Sequence, residues 1–447
     1  MKRTTGAIAV SGVAALLLTA CGGGTTDTPA APMTTDTMSE TGDAAQESSA
    51  APADDSSATS GEAAPAASDG SSLVIWADDL RAAALQKHAK EFEAETGVPV
   101  KIQVVANEKL REQFKDSVGA DAGPDIAVGA HDWLGELVQN NVVAPVQMAA
   151  DVQSGFNPES IEAVTYEGQT YGVPYAVESI ALIRNTALAP ETPASMEDLV
   201  AQGKKLVEDG KTELIMTQEV GKEGNAYSLY PYLAAYGGGI FPLLDAGGFD
   251  GTKVIIDSPE SIKGGEKISW LAKEKALSTN QDGSNVIPLF TEGKAAFMVS
   301  GPWAIQQIKD AGIDYAIEPI PDFEDGGETT PFLGVQTFYV SAKSKNPQIA
   351  QTFVQEFVSK PEVQISLFEA GDRPPALTAA YEQVAKDNAD IQAWGEAAAG
   401  GTPMPNIPQM NSVWGPLGKA EADIVSGDAA ADRLKTAQSE VEAALKQ

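Results

Sequence analysis

The region 73–128 alternates between short apolar runs and segments with helical spacing. Apolar runs at 73–76, 98–105 and 126–128 predict three strands, and the segments between them predict two helices. Strands that alternate with helices in this way form a mostly parallel sheet covered by helices, so we predict an α/β fold. The body at 73–447 is too long for one hydrophobic core, which predicts two lobes.

Polar and aromatic side chains follow each of the three predicted strands. Open α/β sheets bind ligands beyond the carboxyl ends of their strands, so these positions are candidate ligand contacts. The candidates are Asp78, Asp79 and Arg81 after the first strand, Lys109 after the second, and His131, Asp132 and Trp133 after the third.

Several of these residues have a structural alternative that the sequence leaves open. Asp79 and Asp132 precede helical patterns and could cap the free backbone N–H groups of a helix. His131 could bind only a backbone group. Trp133 stands beside two polar residues, and we expect it to form a stacking surface rather than part of the core.

The N-terminus has the pattern of a secretory signal. Lys2 and Arg3 precede an apolar stretch shorter than a membrane-spanning helix, so residues 1–20 are predicted to be a signal peptide. Cys21, the single cysteine of the chain, ends a small-residue pair that resembles the bacterial lipobox, which implies lipid attachment. Residues 21–72 are rich in Ala, Ser, Thr, Pro and acid, and are predicted to be a disordered tether.

The charge and the motifs that are absent narrow the class of function. A formal net charge of −33 makes a nucleic-acid partner improbable, because such a surface repels phosphate backbones. One cysteine and two histidines cannot build a three-histidine or multi-cysteine metal site, and the sequence contains no P-loop. We therefore expect no metal and no cofactor.

Six short motifs, in this order, resemble the maltose/maltodextrin-binding proteins of ABC importers. They are Leu73-Val74-Ile75-Trp76, Gly123-Pro124-Asp125-Ile126, Ala130-His131-Asp132, Tyr175-Ala176-Val177-Glu178-Ser179, Gly301-Pro302-Trp303 and Met404-Pro405-Asn406-Ile407-Pro408-Gln409-Met410. The resemblance covers the body and none of the tether, and the last motif is the most specific.

The resemblance implies a periplasmic-binding-protein-like fold with two discontinuous lobes and a ligand cleft at the hinge. The N-terminal lobe would comprise 73–178 and 333–381, and the C-terminal lobe 179–332 and 382–447. Both lobes are expected to contain a mostly parallel sheet flanked by helices.

The resemblance also assigns the ligand contacts. The first lobe would offer Asp78, Asp79, Arg81, Lys109 and Asp132 to sugar hydroxyls, and Glu178 would reach the same sugar from the crossover. The second lobe would add Tyr227, Trp303, Met404 and Trp414. For Trp303, Met404 and Trp414 the alternative is packing in the hydrophobic core. For Tyr227 the sequence leaves the alignment with the family open.

The sequence departs from this family at three positions. Trp133 stands where the family often has an arginine, Asn225 is the nearest counterpart of an acidic contact, and Ser228 replaces an aromatic residue. Because of these changes, trehalose, a cyclodextrin and a glucosyl-polyol remain alternative ligands. A secreted glycosidase is a further alternative, because Asp78 or Asp79 with Glu178 could serve as acid and nucleophile.

We therefore expect a binding protein and not an enzyme. It would capture a maltose- or maltodextrin-like oligosaccharide by hinge closure and deliver it to the permease subunits of an ABC importer. The protein is expected to be a monomer that is held outside the cytoplasm by its lipid anchor, in the periplasm or on the outer face of the cell membrane.

Overall fold

The computed structural model describes residues 68–244 and 248–446. The predicted signal peptide, Cys21 and most of the predicted tether lie outside these residues. The body contacts the chain earlier than residue 73, because the Ser68 N–H donates to the Gly123 carbonyl and Asn346 Nδ2 donates to the Ser72 carbonyl. Residues 68–72 are thus attached to the folded body.

The strands, in chain order, are β1 (Leu73–Ala77), β2 (Val100–Val104), β3 (Ile126–Ala130), β4 (Thr165–Tyr166), β5 (Gln169–Thr170), β6 (Gly172–Glu178), β7 (Ala181–Asn185), β8 (Thr217–Gln218), β9 (Phe297–Ser300), β10 (Tyr315–Glu318), β11 (Phe332–Val340) and β12 (Thr402–Pro403). Short 3-10 turns follow β3 at His131–Trp133 and β9 at Pro302–Ala304, and a third lies at Pro408–Ser412.

The helices are α1 (Asp79–Thr96), α2 (Asn107–Gly119), α3 (Leu134–Gln139), α4 (Ala150–Gln153), α5 (Pro158–Ala163), α6 (Met196–Glu208), α7 (Ala226–Leu233), α8 (Pro259–Lys273), α9 (Val286–Thr291), α10 (Ile305–Asp310), α11 (Pro347–Thr352), α12 (Pro361–Gly371), α13 (Thr378–Val384), α14 (Ala389–Ala398), α15 (Trp414–Val425) and α16 (Ala430–Ala444). A π-helical turn at Phe353–Phe357 continues α11.

The predicted strand–helix alternation of the first lobe is confirmed. Helix α1 ends at Gly97, which adopts the left-handed conformation that favours glycine. Strand β1 pairs in parallel with both β2 and β3. The carboxyl ends of these strands therefore meet at one edge, where the candidate ligand contacts begin.

The prediction of mostly parallel sheets is correct for only part of the molecule. In the described chain, the first lobe has a six-stranded sheet in which β11 runs antiparallel to β3 and β6. The four-stranded sheet of the second lobe has β7 antiparallel to both β9 and β10. Strand β6 is followed directly by β7, and β10 by β11, so the chain crosses between the two sheets at these points without a helix.

Apolar side chains cover both faces of each sheet. In β1, Leu73 and Ile75 pack into one core with Phe92, whereas Val74 and Trp76 pack into a second core on the opposite face. This alternation follows from the two-residue period of a strand. The second lobe has two cores of the same kind.

The chain passes between the two sheets at several points. It leaves the first sheet after β6, enters the second at β7, and returns along β11. Helix α14 then packs on β10 and β7, and β12 pairs with β11 before α15 and α16 pack on α8. The exact lobe boundaries stay a prediction.

No helix within residues 68–244 and 248–446 is long and apolar enough to cross a membrane. The same residues contain no group of three or more His, Cys, Asp and Glu side chains that could hold a metal ion.

Candidate ligand-binding cleft

Asp78 and Arg81 form a buried ion pair at the end of β1. Asp78 caps α1, because its Oδ1 accepts a hydrogen bond from the Arg81 backbone N–H at 3.0 Å. Arg81 Nη2 lies 2.9 Å from Asp78 Oδ2, and its Nη1 donates to the Val128 carbonyl within β3. Arg81 therefore fixes the carboxylate of Asp78 against the edge of the sheet.

Asp79 and Lys109 lie on the first turns of α1 and α2 and are exposed to solvent. The capping role left open for Asp79 belongs to Asp78, whose side chain makes the cap hydrogen bond. Both residues are placed at the outer end of the predicted ligand edge rather than inside it.

His131 binds backbone groups with both ring nitrogens. Its Nδ1 accepts from the Val335 N–H at 3.0 Å, and its Nε2 donates to the Met404 carbonyl at 2.9 Å. Burial lowers the pKa of His131 to about 4, so the ring is neutral at pH 7. The prediction that His131 contacts the ligand is wrong as far as its ring nitrogens are concerned, because both already bond to backbone groups.

Asp132 connects the first lobe to α15. Its Oδ2 accepts a hydrogen bond from Trp414 Nε1 at 3.1 Å, and it caps no helix. Burial raises the pKa of Asp132 to about 6, although the positive charge of Arg111 and the bond from Trp414 oppose the rise. A carboxyl group held in this way can bind a ligand hydroxyl as well as the indole.

Trp133 does not form a stacking surface. The side chain is buried in the core of the first lobe with Phe114 and Tyr339. Its six-membered ring covers Gly129 so closely that a Cβ atom there would lie 1.9 Å from Trp133 Cζ3. The prediction was wrong because the 3-10 turn His131–Trp133 rotates the indole back over β3 instead of into the cleft.

Glu178 ends β6 at the crossing between the lobes and has two partners. Gln336 Nε2 donates to Oε1 at 2.6 Å, and Arg373 Nε donates to Oε2. Gln336 comes from β11, and Arg373 follows the C-terminal end of α12. Glu178 is buried, so this second ion pair balances a carboxylate that would otherwise be costly to desolvate.

Aromatic rings from the second lobe form a group around Phe332. The Tyr227 ring is stacked on Phe332 at a centroid distance of 6.2 Å, and Trp414 meets Phe332 edge-on at the same distance. The ring centroids of Trp303 and Tyr227 are 6.4 Å apart. Tyr227, Trp303 and Trp414 are each partly exposed, as faces available to a ligand should be.

Met404 is buried in the core of the second lobe. Its backbone bonds to Leu333 and to His131. Its position agrees with packing in the core, which was the alternative to ligand contact.

Asn225 caps α7 by accepting a hydrogen bond from the Ser228 N–H, so it stabilises the helix and does not replace an acidic ligand contact. An acidic residue does lie beside it, since Glu219 hydrogen-bonds Asn225, and burial raises the pKa of Glu219.

Buried polar atoms without a hydrogen-bond partner in the described chain include the Tyr175 hydroxyl, the Tyr227 hydroxyl, Gln336 Oε1 and Arg81 Nε. Burial raises the pKa of Tyr175 to about 12 and that of Tyr227 well above its ordinary value, so both phenols remain protonated. An unpaired buried polar group costs about 1–3 kcal/mol, which a ligand with hydroxyl groups would recover.

The structure therefore brings together Asp78, Arg81, Asp132, Glu178, Tyr227, Trp303 and Trp414 of the predicted set. It places Asp79 and Lys109 at exposed positions, His131 and Met404 in structural contacts, and Trp133 in the core. The sequence analysis did not include Tyr175, Phe332, Gln336 and Arg373 among the ligand contacts. Tyr175 was within a quoted motif, whereas no local pattern marks Gln336 and Arg373.

Residues 87–399 match the family described as bacterial extracellular solute-binding proteins. The chain is 29% identical to the galactooligosaccharide-binding protein of Bacillus subtilis, over 82% of this chain and 87% of that protein. It is 30% identical to the maltotriose-binding protein of Pyrococcus abyssi, over 74% of this chain and 72% of that protein.

A third relative is the maltooligosaccharide ABC transporter solute-binding lipoprotein of Streptococcus pneumoniae. The chain is 28% identical to it, over 81% of this chain and 85% of that protein. The family and these relatives are described as binding proteins rather than as enzymes. The mixed α/β fold with two main sheets agrees with the family match, and the chain belongs to the bacterial extracellular solute-binding proteins.

Proposed function

We propose that this protein captures a neutral oligosaccharide of the maltose or maltodextrin type between its lobes and delivers it to an ABC importer. The names of the relatives support an oligosaccharide as the class of ligand. The contacts in the cleft give an independent reason to expect a neutral ligand with many hydroxyl groups.

The observation that carries this proposal is the set of unpaired polar atoms on both sides of the cleft. Tyr175 and Gln336 belong to the first lobe and Tyr227 to the second. Each phenol can donate and accept a hydrogen bond, and the amide oxygen can accept one. A sugar placed between these strands and α7 would bond to all three atoms at once and thereby join the lobes.

The charges of the cleft favour a neutral ligand. Asp78 is neutralised by Arg81, and Glu178 is neutralised by Arg373. An anionic ligand would face the remaining acid Asp132, and a cationic ligand would meet carboxylates that already have partners. Carboxylates and guanidinium groups in ion pairs can still bond to hydroxyl groups at low electrostatic cost.

The aromatic group would bind the C–H faces of the sugar rings. Each large aromatic side chain buries about 150–250 Å² when fully covered, so two rings can supply much of a micromolar affinity. Trp303, Trp414 and Tyr227 are all partly exposed, and Tyr227 lies between the two tryptophans in the aromatic group.

The glycosidase alternative is not supported by the partners of the carboxylates. A glycosidase needs one carboxylic acid that holds a proton and a second carboxylate across the bond. Asp78 and Glu178 each form an ion pair with an arginine, so neither carboxylate is free to act as the acid or as the nucleophile.

Calorimetric titration tests the proposal. The secreted body, from Ser68 onward, would be titrated with maltose, maltotriose, trehalose, β-cyclodextrin and a galactobiose, while the same mixtures are assayed for released monosaccharide. We expect one-to-one binding of at least one neutral oligosaccharide without hydrolysis, and no binding of glucuronate or glucose 6-phosphate. Absence of binding across the neutral panel would contradict the proposal, and release of sugar that Glu178→Gln abolishes would indicate an enzyme.

The galactobiose in this panel represents a second candidate ligand. The relative from Bacillus subtilis is named for galactooligosaccharides, and it matches most of this chain. Both candidates are neutral and offer hydroxyl groups and C–H faces, so the contacts described above accommodate either. The ratio of the two affinities decides which oligosaccharide is the ligand.

The folded body of this extracellular family lies outside the cytoplasm. We propose in addition that Cys21 carries the lipid that anchors it, as the name of the pneumococcal relative indicates for that protein. Cells that express the full chain should incorporate labelled palmitate into it, and Cys21→Ala should abolish the label and release the protein. Labelling that persists in this variant would contradict the anchor.

A further inference from the structure

Arg373 lies beside Glu178 and Trp303, although nothing in the sequence marks it as a ligand contact. It follows the C-terminal end of α12, in a segment where Val177 N–H donates to the Pro374 carbonyl and Pro375 pairs with Ala176. These contacts attach the segment to β6. The side chain is almost completely buried, with 8% of the residue exposed.

The guanidinium of Arg373 contacts both lobes. Its Nε donates to Glu178 of the first lobe, and its Cζ lies 5.6 Å from the ring centroid of Trp303 in the second. Its positive charge also acts on the pKa values of the Tyr175 and Tyr227 phenols, where it opposes the effect of burial. Arg373 is therefore surrounded by four of the residues assigned to the cleft.

Most of the donors of Arg373 are unused. A guanidinium carries five N–H donors, and in the described chain only Nε of Arg373 makes a hydrogen bond. Arg81 differs in this respect, because both of its Nη groups bond to protein atoms. Neither Nη atom of Arg373 is a fully buried atom without a partner, so both keep accessible surface and can donate to a ligand.

We propose that Arg373 contacts the bound oligosaccharide directly, with Nη1 and Nη2 donating to ligand oxygens while Nε keeps its bond to Glu178. This inference rests on the proposed function and deepens it, because it names a specificity-determining residue of the same cleft. The planar fork can bind two oxygens at once, such as neighbouring hydroxyl oxygens of one ring. The arrangement selects for a sugar with a hydroxyl oxygen at this point.

Arg373→Met and Arg373→Lys test the inference, with maltose and its set of monodeoxy derivatives as probes in calorimetry. Both variants remove the fork, whereas lysine keeps a positive charge beside Glu178. We expect Arg373→Met to weaken maltose binding at least tenfold, and Arg373→Lys to restore less than half of the loss on a logarithmic scale. Arg433→Met, on α16, serves as the matched control and should leave the affinity unchanged.

The monodeoxy sugars distinguish direct contact from a structural role. Against the wild-type protein, removal of the hydroxyl that Arg373 binds should weaken binding about tenfold or more. In the Arg373→Met variant, removal of the same hydroxyl should change the affinity little, because the guanidinium that bound this hydroxyl is already absent. A variant that weakens all the sugars by the same factor, or one that lysine restores fully, would show that Arg373 only holds Glu178 in place.

Two failures remain distinguishable. If the wild-type protein binds no sugar of the panel, the proposed function fails and the inference fails with it. If the wild-type protein binds maltose and Arg373→Met binds it equally well, the proposed function stands and the inference about Arg373 is wrong. Circular dichroism and the melting temperature of each variant establish that the protein is folded.

Discussion

The cleft contains three acidic residues whose surroundings differ. Asp78 bonds to Arg81, Glu178 bonds to Gln336 and Arg373, and Asp132 bonds to the Trp414 indole without an ion pair of its own. The first two form ion pairs with arginine, whereas burial raises the pKa of Asp132. Residues of one chemical type thus have different partners and different freedom to bind a ligand.

Tyr227 and Tyr232 provide a matched pair for testing the unpaired hydroxyls. The Tyr227 hydroxyl is buried without a partner, whereas the Tyr232 hydroxyl donates to Gln218 Oε1 at 2.7 Å. Tyr227→Phe should weaken sugar binding about tenfold and leave the free energy of unfolding unchanged or higher. Tyr232→Phe should cost about 1 kcal/mol of stability and leave the affinity unchanged. A loss of stability without loss of affinity in Tyr227→Phe would contradict the assignment.

Asp132→Asn tests the raised pKa. Since the pKa of Asp132 rises from 3.8 unfolded to about 6 folded, ionisation opposes folding, and this cost grows as pH rises from about 4 to 6. The amide of asparagine can still accept from Trp414 and carries no charge. We expect Asp132→Asn to stabilise the protein at pH 7.5 by about 2 kcal/mol more than at pH 4, measured by urea unfolding. An equal effect at both values would show that the pKa is not raised.

Each lobe has a strand that ends next to a glycine covered by a tryptophan ring. Gly129 lies under Trp133, and a Cβ atom at Gly301 would lie 2.1 Å from Trp303 Cζ3. In both lobes a 3-10 turn follows and carries the tryptophan. The same arrangement of a glycine and a 3-10 turn buries the Trp133 ring in a core and leaves the Trp303 ring partly exposed in the cleft.

Alanine at each of these glycines should therefore have different consequences. Gly129→Ala forces a buried ring to move, and we expect it to cost about 1–3 kcal/mol of stability. Gly301→Ala displaces a ring that has room on its exposed side, so it should weaken sugar binding more than tenfold with a smaller loss of stability. Gly415→Ala, where a Cβ atom meets nothing within 4 Å, is the control. Equal affinities for Gly301→Ala and Gly415→Ala would contradict the role of Trp303.

The helices and strands that could be predicted from the sequence are those whose signal lies in neighbouring residues. The helix that ends at Gly97 and the three strands of region 73–128 follow from apolar spacing and from one glycine. Trp133 was misplaced because the direction of a ring after a strand depends on the turn that follows. Gln336 and Arg373 could not be found, because they reach Glu178 from segments 158 and 195 residues away in the chain.

Motifs quoted for the resemblance also differ in what they do. Asp125 binds the Val74 N–H together with Ser344, Lys345 and Asn346, so this motif joins β1 to the end of β11 and does not contact the cleft. In the longest motif, Asn406 donates to carbonyls at Ala163 and Thr165. A recognisable motif therefore located the fold better than it located the ligand contacts.

At the scale of the whole molecule, an ion pair next to Arg373 joins the two lobes. Lys309 of α10 lies 2.8 Å from Asp372, the residue before Arg373, and 3.5 Å from Asp390. Asp372 belongs to the segment attached to β6, whereas α10 and α14 pack in the second lobe. The Lys309–Asp372 ion pair therefore joins the two lobes.

Asp372→Asn should shift the ligand-free protein toward an open form. Asparagine tolerates the positive φ of 52° at this position, and Lys309 retains Asp390, so the fold should persist. We expect a larger radius of gyration in solution scattering without ligand and a three- to tenfold weaker affinity, because binding must then supply the free energy of closure. Asp423→Asn, which removes an ion pair within α15, should change neither quantity.

Hydrogen–deuterium exchange with and without maltotriose tests whether an oligosaccharide binds between the two lobes. If it does, the sugar should slow exchange on both sides of the cleft, in the segments around Asp78, Asp132 and Glu178 and in those around Tyr227, Trp303 and Trp414. Slower exchange in one lobe alone, or only at sites remote from these residues despite saturation with sugar, would contradict the account.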